Sequence, residues 1–171
     1  MNILKQFVPQ EVCLKCDGCC RFKEKDSVWR PRVLEGESVA VKRRLADEIF
    51  LKETMDTRGR LRATSHCNHF FCAFFKAEDN TCGVYGFRPF ECQLYPFVLV
   101  KESGQIVVCV HHSCPFIQEK GDTKEFREHV EYLKDFFNQK DTRQWIHDNF
   151  KFIETYEPYR SELENLFTVG R

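Results

Sequence analysis

The hydrophobic pattern after residue 121 predicts a helix. Apolar residues recur there every three or four positions and would share one helical face: Phe126, Val130, Leu133 and Phe137. Asp122, followed three residues later by Glu125, is typical of a helix start, because such a pair satisfies the unpaired N–H groups of the first turn. We therefore expect this helix to bury its apolar face.

Two further helices are predicted in the same third of the chain. Asp141 and Gln144 repeat the start pattern before an apolar pair. Pro158 suits the first turn of a last short helix, with Leu163 and Leu166 following it. Residues 121–171 are therefore expected to form a helical cover.

A charged and apolar pattern between residues 34 and 50 predicts one more helix. Val41, Leu45 and Ile49 are spaced four residues apart, with charged residues between them. This spacing is typical of an amphipathic helix. We expect it to pack against the part of the chain that carries the cysteines.

Between Leu61 and Val110 the pattern changes to short apolar runs separated by turn residues. Asp79-Asn80 and Ser103-Gly104 are such turns, and this alternation is typical of hairpins and irregular loops. The chain is therefore predicted to be α+β: one small domain, residues 1–171. Residues 13–115 would form an irregular, metal-centred cysteine core of short hairpins and loops, and helices would cover it.

Composition and charge narrow the function. The 171 residues are 42% hydrophobic, enough for one compact core. Lys and Arg total 26, as do Asp and Glu, so the charge balance does not favour nucleic acid as a partner. No apolar stretch resembles a signal peptide or a membrane span, so we expect a cytoplasmic protein without membrane contact. In that reducing compartment, ten cysteines indicate metal ligands rather than disulfides.

The spacing of the first four cysteines indicates a metal site. Residues 13–20 read CLKCDGCC, a CxxCxxCC motif, and a tight loop with this spacing presents Cys13, Cys16 and Cys19 to one centre. Bacterial ferredoxins combine CxxCxxC with a further cysteine that precedes proline, as Cys114 precedes Pro115 here. This favours an iron–sulfur cluster such as [4Fe–4S]. Zinc accepts the same thiolates and stays open as the alternative.

The second group of cysteines carries a resemblance to a known family. After CxxCxxCC the chain has Cys82-Gly-Val-Tyr, then Arg-Pro-Phe-Glu-Cys92 and Tyr-Pro. In this order the motifs closely resemble the YkgJ-like cysteine-cluster family, described as a zinc- or iron-chelating domain. The resemblance covers residues 13–115, and flagellin lysine methylases are relatives of the family. A methyltransferase-like enzyme is therefore a further, more distant alternative.

The resemblance implies a set of eight metal ligands. Carried over residue by residue, they are Cys13, Cys16, Cys19, Cys20, Cys72, Cys82, Cys92 and Cys114. Cys67 and Cys109 lie outside the pattern; Cys109, in an apolar run, is expected to be a buried thiol. The family implies metal binding and no defined reaction. We therefore expect a structural or metal-handling module first, and a redox protein as the second alternative. The expected partner is the metal ion or cluster; no protein partner is indicated.

Three residues near these cysteines are candidates for supporting roles. Arg88 could bind at the cofactor, because its permanent positive charge offsets the negative charge of a thiolate-bound centre. Its alternative role is an ordinary surface ion pair. His111 and His112 precede Cys114 closely enough to complete a mixed Cys/His site, although a loop histidine is more often no ligand at all.

Overall fold

The structure is a computed structural model that describes residues 4–13, 16, 20–37, 53–66 and 68–170. The chain forms two compact units. We call residues 9–93 the cysteine unit, and residues 4–8 with 94–170 the sheet unit.

The cysteine unit is built from very short strands and helical turns. Its elements in chain order are α1 (Gln10–Cys13), β1 (Arg21–Phe22), β2 (Ala63–His66), β3 (His69–Cys72), β4 (Phe75–Lys76), β5 (Thr81–Cys82), a 3-10 turn (Tyr85–Phe87) and α2 (Phe90–Leu94). Strands β1, β3 and β2 form an antiparallel sheet in that order, and β4 pairs with β5. The predicted turn at Asp79-Asn80 joins β4 to β5, with Asn80 at a φ of 56°.

An apolar cluster lies under this small sheet. Its buried members are Phe22, Val33, Leu61, Ala63, Cys72, Phe74 and Val84. Because side chains alternate along a strand, Cys72 and its partner Ala63 face this cluster. The Cys72 side chain thus lies on the buried side of the sheet.

The sheet unit contains a longer antiparallel sheet and three helices. Its elements are β6 (Phe97–Glu102), β7 (Gln105–His111), α3 (Pro115–Lys120), α4 (Lys124–Asn138), α5 (Lys140–Asp148), two 3-10 turns (Phe150–Phe152 and Glu157–Glu162) and β8 (Leu163–Thr168). The strand order is β6-β7-β8. The β6–β7 turn is the predicted Ser103-Gly104 pair, and both residues have positive φ, as a tight hairpin turn requires.

Helix α4 buries the predicted apolar stripe together with a histidine. Val130, Leu133 and Phe137 are buried, and so is His129. The His129 ring stacks on Phe97, with ring centroids 5.3 Å apart, and also packs against Phe7. This aromatic cluster joins residues 4–8 to the rest of the sheet unit.

The α+β fold class is confirmed. Two local predictions differ from the structure, and a third concerns residues that are mostly outside the described ranges. The last predicted helix is wrong beyond Glu162, because Leu163–Thr168 pairs with β7 as strand β8. The N-cap of α4 is Thr123 and not Asp122, since the Thr123 hydroxyl accepts the Phe126 N–H. Most of the helix predicted over residues 34–50 lies outside the described residues.

Helix α4, with 15 residues, is amphipathic, and none of the helices in the described ranges combines the length and apolar character of a membrane span.

Candidate metal centre

Three cysteines meet in the apolar cluster of the cysteine unit. Cys72 is a buried member of the cluster, and Cys20 and Cys82 pack against it. The chain before β1 is tied to β3 by a 2.9 Å hydrogen bond from the Cys72 N–H to the Cys20 carbonyl. The second cysteine group is thereby joined to the end of the CxxCxxCC motif.

Two of these sulfurs receive a backbone hydrogen bond from the residue two positions later. The Phe74 N–H donates to the Cys72 sulfur, and the Val84 N–H donates to the Cys82 sulfur. A 2.9 Å bond from the Gly83 N–H to the Phe74 carbonyl joins the two segments. Backbone donors of this kind stabilise sulfur in its anionic form, which is the form that binds metal.

Electrostatic coupling connects five cysteines of this unit. Burial raises the pKa of the Cys72 thiol to about 12, and nearby Cys20 and Cys82 add to the rise. Burial also raises the pKa of Cys82, with contributions from Cys20 and Cys13. Cys92 has a pKa well above its usual value, chiefly through burial and then through Cys72, Cys20 and Cys82. The five thiols are therefore close enough to influence one another electrostatically.

Helix α2 positions Cys92, and a buried glutamate holds the start of that helix. Glu37 accepts hydrogen bonds from the N–H groups of Phe90, at 2.6 Å, and Leu34, at 2.9 Å. At the same end, Glu91 accepts the Arg32 N–H at 2.7 Å. The first turn of α2 is thus fixed to residues 32–37. Glu37 could not be recognised from the sequence, because its partner Phe90 is 53 residues away.

Arg88, for which the sequence left open a role at the cofactor or in a surface ion pair, is buried beside Cys82 and Cys92. Its guanidinium lies 3.6 Å from the centre of the Tyr85 ring and lowers the pKa values of Cys82 and Cys92, against the larger effect of burial. The buried Nε of Arg88 has no hydrogen-bond partner among the described residues. A buried cationic donor next to thiols suits an anionic, thiolate-bound group.

Arg21 ties Cys16 of the CxxCxxCC motif to the β4–β5 hairpin. Its guanidinium donates to the Cys16 carbonyl at 3.0 Å and to the Asn80 side chain at 2.5 Å. The same group lies over the rings of Phe75, at 4.7 Å, and Phe71, at 5.5 Å. Arg21 was not among the predicted site residues, although the sequence shows a basic side chain directly after CxxCxxCC.

The other three predicted ligands are Cys16, Cys19 and Cys114. Cys16 is half-buried in the cysteine unit, and Cys19 lies outside the described residues. Cys114 belongs to the sheet unit, where it is buried at the N-cap position of α3. The assignments of Cys19 and Cys114 as ligands stay predictions.

Cys67 and Cys109 lie outside the family pattern, and His111 and His112 are the candidates for a mixed Cys/His site. Cys67 is not among the described residues, whereas Cys109 is fully buried in β7 and donates a hydrogen bond to Asn165. His111 uses both ring nitrogens in the sheet unit, with Tyr95 and Glu162 each 3.1 Å away. The exposed His112 lies 2.7 Å from Glu164. Both histidines thus have protein partners in the sheet unit, and metal ligation by either one stays a prediction.

The donor set of the cysteine unit fits zinc or an iron–sulfur cluster, since both take cysteine thiolates. The eight described cysteines are thiols and not disulfides. Within the described ranges, no group of three or more His, Cys, Asp or Glu side chains is arranged to hold a metal ion.

Comparison with known proteins places the chain in a family. Residues 12–129 match the family model CxxCxxCC, described as "Putative zinc- or iron-chelating domain". The chain belongs to this family. The match includes the CxxCxxCC motif and the cysteine cluster described above, and it makes metal binding the property that the family shares. None of the curated proteins and none of the solved structures matches the chain.

Proposed function

We propose that this chelating domain holds an iron–sulfur cluster through thiolates of the cysteine unit. The observation that carries the proposal is the meeting of five thiols from separate segments: Cys13, Cys20, Cys72, Cys82 and Cys92. Cys16, which belongs to the CxxCxxCC motif, is the sixth candidate among the described residues of the cysteine unit. Sequence spacing adds Cys19 and Cys114 as predicted ligands.

Two features favour a cluster over a single zinc ion. The buried guanidinium of Arg88 lies beside the thiols, where its positive charge would offset the negative charge of an iron–sulfur centre. The CxxCxxC spacing and the Cys-Pro pair are those of ferredoxins. When bound, such a cluster supplies one-electron chemistry, while this chain's residues bind it and exclude water.

Zinc is the second candidate, because the family description includes it and because paired cysteines with N–H···S bonds also suit a tetrahedral zinc site. Anaerobic purification followed by metal and sulfide analysis distinguishes the two. A brown protein with broad visible absorbance, iron and acid-labile sulfide is expected. A colourless protein with stoichiometric zinc and no sulfide would overturn the iron–sulfur proposal and support the zinc site.

The ligand assignment is tested separately by single Cys→Ser variants. Cys13→Ser, Cys72→Ser and Cys92→Ser are each expected to lower the metal content sharply, because each removes a thiolate from the cluster. Cys109→Ser is the matched control, since Cys109 is a buried thiol bonded to Asn165 in the sheet unit. Equal metal loss in Cys109→Ser and Cys72→Ser would contradict the proposed ligand set.

A further inference from the structure

Two of the six histidines stand apart from the others in their contacts. His111, His112 and His147 each have a ring nitrogen at hydrogen-bond distance from an oxygen, and His129 is buried among aromatic rings. The remaining two, His66 and His69, are exposed, and their imidazole nitrogens have no hydrogen-bond partner among the described residues.

These two histidines face each other across the β2–β3 hairpin. They are Cα partners at the end of its ladder, and Asn68, between them, has a φ of 63°. Directly opposed residues of antiparallel strands have Cβ atoms about 4.5–5.5 Å apart. Both rings also stand edge-on to Phe71, with centroid distances of 6.0 Å for His66 and 6.4 Å for His69. The shared contact keeps both imidazoles on one side of the hairpin.

We propose that His66 and His69 together bind one divalent ion of the imidazole-preferring class, such as Ni²⁺, Cu²⁺ or Zn²⁺. Imidazole nitrogens bind these ions at about 2.0–2.1 Å, a distance that two side chains on paired strand positions can reach together. Water fills the remaining coordination positions, because both side chains are exposed. Two ligands and open water positions make this a site of moderate affinity from which the ion exchanges readily.

This site is distinct from the cysteine cluster because the two use opposite faces of β3. Side chains alternate along the strand, so His69 and Phe71 share the outer face and Cys72 faces the apolar cluster. Three residues along a strand span about 10 Å. The proposed histidine site therefore does not depend on what the cysteines bind, and either proposal can fail without the other.

The test is calorimetric titration of the purified protein, with its resident metal in place, using Ni²⁺ as the probe. One Ni²⁺ per chain is expected. His66→Ala and His69→Ala should each weaken binding by about tenfold or more, since either change leaves a single imidazole. His112→Ala is the matched control, because His112 is exposed but bonded to Glu164. Binding that is equally affected by all three variants, or by none, would overturn the proposal.

Cys67 lies between the two histidines in the sequence and requires its own variant. Cys67→Ser should keep the Ni²⁺ affinity, and X-ray absorption of the nickel-loaded protein should show nitrogen and oxygen neighbours without sulfur. A sulfur neighbour, or loss of binding in Cys67→Ser, would overturn a two-imidazole site. Resident metal content should be unchanged in His66→Ala and His69→Ala; its loss would mean that the histidines serve the cysteine cluster.

Discussion

The carboxylate of Glu37 accepts a 2.6 Å hydrogen bond from the backbone N–H of Phe90, the first residue of α2. A second bond from the Leu34 N–H occupies its other oxygen, so one buried side chain holds a loop and a helix start together. Cys92 lies two residues after Phe90 on the same short helix. The position of this thiol therefore depends on a carboxyl group that is not itself a proposed ligand.

Glu37 should make stability depend on pH. Burial raises its pKa from 4.5 to about 7, against the lowering effect of its two backbone hydrogen bonds. Between these values the folded state holds a proton that the unfolded state has lost. The contribution of Glu37 to the free energy of unfolding is therefore fully present below pH 4.5 and is lost as the pH rises through 7. This loss amounts to at most about 3 kcal/mol.

Urea unfolding of the wild type and Glu37→Gln between pH 5 and pH 8 checks this expectation. The wild type should lose stability relative to the variant as the pH rises, because the glutamine side chain cannot ionise. Glu35→Gln serves as the control, since Glu35 is exposed two residues away. A stability difference between wild type and Glu37→Gln that is constant over this pH range would contradict the prediction.

His129 should produce a pH dependence of the opposite sign. Burial among aromatic rings, and to a lesser degree nearby Lys5, lowers its pKa from 6.5 to about 4. Its contribution to stability is therefore present above pH 6.5 and is lost as the pH falls through 4, because the unfolded chain takes up the proton first. Allowing for screening by solvent, we expect this contribution of His129 to the free energy of unfolding to be about 1–2 kcal/mol.

His129→Phe keeps an aromatic ring in the cluster and removes the titrating group. Thermal unfolding at several pH values from 4 to 7 should show a weaker loss of stability on acidification in this variant than in the wild type. The exposed His112→Gln is the control and should follow the wild type. An unchanged acid dependence in His129→Phe would show that other groups are responsible.

Arg88 should control how tightly the metal centre is held. Arg88→Gln removes a buried positive charge beside Cys82 and Cys92, so the rate of metal loss to a chelator should rise about tenfold. Arg88→Lys should be intermediate, since it keeps the charge but loses the planar contact with Tyr85. Arg62→Gln is the matched control, because Arg62 is exposed. Equal rates of metal loss in Arg88→Gln and the wild type would show that Arg88 does not help to hold the metal.

We expect Arg21 to support the metal site through the geometry of its two hydrogen bonds and not through its positive charge alone. Arg21→Lys cannot donate to the Cys16 carbonyl and Asn80 at once with the same geometry, so we expect faster metal loss in this variant despite the retained charge. Lys23→Arg, at an exposed position nearby, is the control. Metal loss measured with a chromogenic chelator distinguishes the two roles: a wild-type rate in Arg21→Lys would mean that charge alone matters.

The predictable parts of the site were those with short sequence spacing. CxxCxxCC and the Arg88 to Cys92 segment could be recognised because their residues are close in the chain. Glu37 with Phe90 and Arg21 with Asn80 could not, since 53 and 59 residues separate these partners. His111 illustrates the same limit: its proximity to Cys114 left a role as a ligand open, and its contact with Glu162, 51 residues away, could not be recognised in the sequence.

The fold shows a similar division between local and long-range causes. The β6–β7 hairpin followed from its turn residues, Ser103 and Gly104, and α4 followed from its apolar period. The segment after Pro158 was expected to be helical because Leu163 and Leu166 are three residues apart. Pairing with β7 outweighs that weak local pattern and makes the segment a strand.

The backbone donors at Cys72 and Cys82 restrict which ligands these two positions can accept during evolution or redesign. Each sulfur uses an N–H group, from Phe74 and Val84 respectively, as well as its capacity to bind metal. A histidine that bound metal through one nitrogen would offer no acceptor to that N–H, and an unpaired buried amide costs about 1–3 kcal/mol. Cysteine-to-histidine exchange, a common way to vary metal selectivity, is therefore disfavoured by the main chain at these two positions.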